Sequence, residues 1–130
     1  MQITLALHEI HRRKEGKILH RDIKPSNVFL EANNSIKLGD FGLAKISEGN
    51  SMKSEFKEGT PLYMAPECIN DNKYIEKSEI WSLGCLLYEL ATLSPPFSGS
   101  NQFVLAKKIN SGKFEKIPSK YSHELSRIIN

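Results

Sequence analysis

From Glu79 to Leu93 the chain reads EIWSLGCLLYELATL. On a helix, Ile80, Leu83 and Leu87 would fall on one side and Leu86, Leu90 and Leu93 on another, so apolar side chains point nearly all round. A helix of this kind is stable only when other elements cover most of its faces. The remainder of the fold must therefore wrap around these residues. SPPF at residues 94–97 stops the helix, because proline lacks the N–H that would continue the ladder. The segment contains Glu89 and is too short and too polar to span a bilayer.

The other elements are read from shorter patterns. Residues 2 to about 13 place Ile3, Leu7 and Ile10 on one helical face, with Leu5 and Ala6 widening the stripe, and Gly16 ends the run. NVFL and IKL flank the turn-rich EANNS and predict a short hairpin. Residues 43–60 are polar and aperiodic, which predicts a long loop of the kind that tends to carry function. Residues 101–110 and 121–129 give two further amphipathic helices. With 130 residues, no internal repeat and no flexible linker, one mainly α domain is expected, burying roughly two-thirds of its unfolded surface.

Composition removes several function classes. The net charge of +3 is mild, and the densest basic run, HRRKEGK at 11–17, is interrupted by Glu15 and Gly16; it reads as a solvated helix end, not a nucleic-acid surface. Cys68 and Cys85 have no spacing that completes a metal site and read as buried, reduced thiols. The N-terminus has no basic leader followed by a long apolar core. Asn33-Asn34-Ser35 reads as a polar turn. No nucleic-acid or membrane partner is predicted, and the expected compartment is cytoplasmic or nuclear.

Chemistry concentrates in two motifs. Asp22, Lys24 and Asn27 stand at offsets of zero, two and five after a His-Arg pair in HRDIKPSN, and Asp40-Phe41-Gly42 follows eighteen residues after Asp22, across the predicted hairpin. Together HRDIKPSN and DFG match the catalytic loop and the metal-binding motif of protein kinases. GTPLYMAPE at 59–67 resembles the end of their activation segment, and KSEIWSLGCLLYEL the central helix of their helical lobe. In detail the chain resembles the NIMA-related serine/threonine kinases.

That resemblance implies a kinase-like C-lobe over residues 1–130, in which a short β-hairpin carries the catalytic and metal-binding loops and the N-lobe is absent. It implies ATP and Mg2+ as cofactors and protein Ser/Thr hydroxyls as acceptors. By the family pattern Asp22 orients the substrate hydroxyl and takes its proton, Lys24 steadies the transferring phosphate, Asn27 and Asp40 hold magnesium, and Phe29 floors the adenine pocket or is an ordinary inward strand residue. Ser54, Thr60, Pro61, Leu62, Tyr63 and Glu67 belong to the activation segment and substrate pocket, with Ser54 a candidate for modification. His20 and Phe41 resemble members of the hydrophobic spine.

Four departures matter. No glycine-rich phosphate loop or strand lysine stands among these residues, so a complete catalytic cycle by this chain alone is not expected. Glu79 occupies a position where the family has Asp receiving hydrogen bonds from the His-Arg backbone. Phe56 stands where the family presents its activating hydroxyl, leaving Arg21 to meet Glu55 or Glu58. Glu67, without a buried arginine, must be solvated or must weaken the fold. The alternatives are a catalytically dead kinase lobe that binds through the region of SPPF, or a truncated gene product.

Overall fold

The computed structural model describes residues 2–47, the backbone of 52–53, and 61–129. Its centre is the predicted helix, here α3, Glu76–Thr92. Its start is organised by Ser78, whose hydroxyl accepts the Ile75 N–H at 3.2 Å and donates to Glu67 Oε1 at 2.5 Å, satisfying one of the N–H groups that a helix start leaves open. It ends two residues before the prolines, with Leu93 in the left-handed conformation at φ 61° and its N–H returned to the Glu89 carbonyl at 2.7 Å.

Helix α1, Gln2–His11, lays Ile3 and Leu7 against Ile23, Leu83 and Leu86, with Ile10 and the hairpin residues Val28, Ile36 and Leu38 completing this part of the core. The hairpin is as predicted: β2, Val28–Leu30, pairs antiparallel with β3, Ile36–Leu38. On the other side of α3, Cys85 packs with Tyr63, Phe97 and α4, Gln102–Ser111. Helix α4 is capped by Asn101, whose side chain accepts the Val104 N–H at 2.9 Å, and is closed by Gly112 at φ 61°. Tyr88 and Ala91 face Ile117 and α5, His123–Ile129. Both cysteines are buried, and burial pushes the Cys85 thiol up to about 12. Among the described residues no helix is long and apolar enough to cross a membrane.

Four expectations are corrected. Leu5 does not widen the buried stripe of α1; it is 59% exposed. Helix α3 is not covered at every apolar position the counting named, since Ile80 and Leu90, and Leu93 just past its end, are exposed; Ser78, Glu79 and Ser82 are buried instead, the two serines bonding to a carboxylate and to backbone. The run 43–60 is not wholly loop: β4, Lys45–Ser47, pairs with β1, Lys17–Leu19, and β5, Met52–Lys53, with β6, Lys73–Tyr74. Such two- and three-residue strands are made by distant backbone partners and leave no period in sequence. Glu67 is neither isolated nor fully solvated, being half-buried with the Ser78 hydroxyl as donor.

The uneven burial of α3 makes a direct prediction. Leu86→Ala, at a fully buried position, should destabilise the chain by about 2–5 kcal/mol. Leu90→Ala, on the exposed face, should stay within about 0.5 kcal/mol. Urea denaturation of the two variants measures the contrast.

Candidate active site

The site is built from the segment between β1 and β2 and from the turn after β3. His20 to Ile23 leave β1 buried, and a 3-10 turn at Pro25–Asn27 brings the chain back into β2. Pro25 suits the first position of that turn, where its missing N–H has no partner to lose. The turn puts the Asn27 amide under Asp22: Nδ2 donates to the Asp22 carbonyl at 2.7 Å and to Asp22 Oδ2 at 2.9 Å. Lys24 Nζ lies 2.7 Å from the same Oδ2. Asp22 is 7% exposed, so its carboxylate is a buried charge stabilised by one ammonium and one amide, as a desolvated anion requires.

The second motif is attached through Gly39. Its N–H donates to the Asn27 carbonyl at 2.9 Å, and its carbonyl accepts from His20 Nε2 at 2.9 Å. His20 Nδ1 in turn accepts the Asp22 N–H at 3.3 Å, so one imidazole spans both motifs. A Cβ at position 39 would lie 2.7 Å from the Phe29 ring, so only glycine fits without moving Phe29. Asp40 follows in the left-handed region at φ 57°, which Asp tolerates because its own Oδ1 accepts the Gly42 N–H at 3.2 Å. Asp40 is exposed, and no direct bond joins it to Asn27 among the described residues. Phe41 meets His20 edge-on, ring centroids 4.7 Å apart. Phe29 is not an inward-facing strand residue: it is 54% exposed, on the hairpin beside Gly39.

Glu79 supports the catalytic segment from below. It is fully buried; Oε1 accepts the Arg21 N–H at 2.8 Å and the Tyr74 hydroxyl at 3.4 Å, while Oε2 pairs with His11 Nε2. The extra methylene expected to crowd this site is accommodated within a carboxylate shared by α1, β6 and the catalytic segment. Arg21 takes a positive φ of 70° beside Asp22, with its guanidinium 5.9 Å from the Tyr74 ring centroid. Burial, and then the Glu79 charge, raise the Tyr74 phenol far above its ordinary range, so it remains a donor.

Of the activation-segment residues, Pro61 and Leu62 are half-buried and Tyr63 is buried against α3. The Tyr63 hydroxyl donates to Glu89 Oε2 at 2.6 Å and its carbonyl accepts from Ser82 Oγ at 2.7 Å. Burial, reinforced by that bond to Glu89, raises its phenol strongly. Ser54, Glu55, Phe56, Glu58 and Thr60 lie outside the described residues. Sequence reasoning missed His11, Tyr74 and Gly39. Gly39 had a signal, a glycine placed directly before Asp-Phe-Gly; His11 and Tyr74 had none, because each meets Glu79 through the tertiary fold.

Removing a carboxylate that three groups share leaves their polar atoms buried without it. Glu79→Ala should therefore cost about 3–5 kcal/mol in urea denaturation. Amide exchange at Arg21 should accelerate in the same variant.

Comparison with known proteins agrees with this geometry. The protein kinase domain family matches residues 1–129. A probable serine/threonine-protein kinase nek2 of Dictyostelium discoideum is 57% identical over 129 residues, covering 99% of this chain and 31% of the relative. Serine/threonine-protein kinase Nek2 of Homo sapiens is 55% identical over 130 residues, covering 98% and 29%. G2-specific protein kinase nimA of Emericella nidulans is 46% identical over 118 residues, covering 91% and 17%. The chain thus spans less than a third of the length of these curated relatives. With the HRDIKPSN and DFG segments joined in one hydrogen-bonded network, and a family match over nearly every residue, the chain belongs to the protein kinase family, and the NIMA-related serine/threonine kinases are the branch it resembles.

Proposed function

We propose that residues 1–130 form the helical lobe of a protein serine/threonine kinase, which moves the γ-phosphoryl group of ATP to a Ser or Thr hydroxyl of a protein substrate when the groups that cover the nucleotide are supplied. The observation that carries this reading is the Asp22 carboxylate, held at one oxygen by both Lys24 and Asn27. A carboxylate fixed in this way can orient a hydroxyl and accept its proton as the oxygen attacks phosphorus. Lys24, on the same oxygen, is placed to steady the phosphoryl oxygens, and positioning with charge neutralisation is most of what this reaction needs from a protein.

The donor chemistry suits magnesium. Asn27 commits its amide N–H2 to Asp22, which leaves Oδ1 to a cation, and the exposed Asp40 carboxylate supplies a second hard oxygen. Magnesium bound there would offset the charge of the phosphate oxygens. Phe29 and Gly39 offer a flat apolar surface beside this pair for a nucleotide base. What these residues do not supply is a G-x-G-x-x-G loop or its lysine, which in the kinase pattern hold the nucleotide phosphates.

The test is transfer of labelled phosphate from Mg-ATP to a generic Ser/Thr protein substrate. The bare chain should show no measurable transfer, and fusion to the N-lobe of a NIMA-related kinase should restore it. In the fusion, Asp22→Asn should reduce the rate by at least about a hundredfold, the range lost with a general base. Asp40→Ala should abolish transfer. Robust activity of the bare chain would overturn the requirement for complementation; a folded but inactive fusion would favour a lobe that binds without catalysing.

A further inference from the structure

The SPPF stretch has no part in the proposed chemistry, yet it carries an accessible acceptor. Ser94 precedes Pro95, and it is exposed just past the end of α3. It lines a cavity of about 490 Å³ together with Leu93, Lys116, Lys120 and Tyr121. The chain has one other hydroxyl residue directly before proline, Thr60, which lies outside the described residues.

We infer that Ser94 is a phosphorylation site for a proline-directed serine/threonine kinase, and that Lys116 and Lys120 hold the resulting phosphate. In the modifying step Ser94 Oγ attacks the γ-phosphorus of ATP bound to that second kinase. The new O–P bond forms as the bond to the ADP oxygen breaks, and the hydroxyl proton passes to the second kinase's own base. Pro95 favours an extended backbone at Ser94, which suits a peptide acceptor.

Charge decides where the phosphate settles. A phosphoserine carries close to two negative charges and three acceptor oxygens. Two ammonium groups share its cavity, and Lys120 Nζ is already placed on this side of the fold, 5.2 Å from the Tyr121 ring centroid. Against them stand Glu115, which lines the same cavity, and the C-terminal end of α3, worth about half a negative charge. The lysines win on charge and reach: two full positive charges on flexible stems can close to hydrogen-bond distance, which outweighs one exposed carboxylate that can turn to water and the half charge of the helix end. The phosphate would then tie the segment before α5 to the end of α3, where Tyr88 and Ala91 already pack against Ile117 and partly buried Tyr121.

The test treats the folded chain with a proline-directed kinase and Mg-ATP, maps the phosphate by fragmentation so that Ser94 and Thr60 are distinguished, and follows the phosphoserine by 31P NMR titration. Phosphate should appear at Ser94 and be lost from that position in Ser94→Ala. Its titration midpoint should lie roughly half a unit below that of the same chain in urea, because nearby cations favour the dianion. Lys116→Gln with Lys120→Gln, which keeps the stems and removes the charges, should abolish that difference. Absence of phosphate at Ser94, or an equal midpoint with and without the two lysines, would overturn the proposal.

Discussion

The buried carboxylate of Glu79 is the interaction on which the site depends. A charged group with no exposure is tolerated only where its lone pairs are used, and here α1 supplies His11, the catalytic segment supplies the Arg21 N–H and β6 supplies the Tyr74 hydroxyl. These contacts come from residues 68, 58 and 5 positions away. The central helix thereby sets the backbone of the residue directly before Asp22. The positive φ of Arg21 is strain of the type that surrounding structure must enforce, and the bond from its N–H to Glu79 is part of that enforcement.

Above this anchor the site is a chain of short bonds. Asn27 and Lys24 fix the Asp22 carboxylate, Gly39 is clasped between Asn27 and His20, and Asp40 emerges into solvent at a turn stabilised by its own side chain. The buried and exposed carboxylates therefore have different capacities. Asp22 is oriented and desolvated, as the proposed proton acceptor would be, and Asp40 is open, as the proposed cation ligand would be. One imidazole bridges the two motifs, so a displacement of the turn that carries Asp40 reaches the backbone of Asp22 through His20.

Helix α3 also sets the far surface. Its buried polar face receives Tyr63 and Glu67 from the segment that leads into α2, Pro66–Asn70, and from its first turn, while its C-terminal end meets the segment before α5. Tyr63, grouped by motif with the substrate pocket, directs its hydroxyl into the helix instead, and so ties the activation segment's end to the core. The basic residues after α4 that line the Ser94 cavity share it with no residue of the catalytic segment, which is why charge there is available for an interaction separate from phosphoryl transfer.

By itself the sequence determined the local pieces: the central helix and its stop at SPPF, the hairpin around EANNS, the two late helices, and the grouping of Asp22, Lys24 and Asn27. Each depends on residues within a few positions of one another, and periodicity, turn chemistry and motif spacing report that range directly. Tertiary structure alone decided which apolar side chains of α3 face solvent, that the polar run after Gly42 contributes a strand to β1, that Phe29 stands half-exposed over Gly39, and that His11 and Tyr74 share Glu79 with Arg21. Most of those outcomes depend on partners tens of residues distant. A single sequence holds no local trace of a pairing whose energy arises only when the chain has folded back on itself.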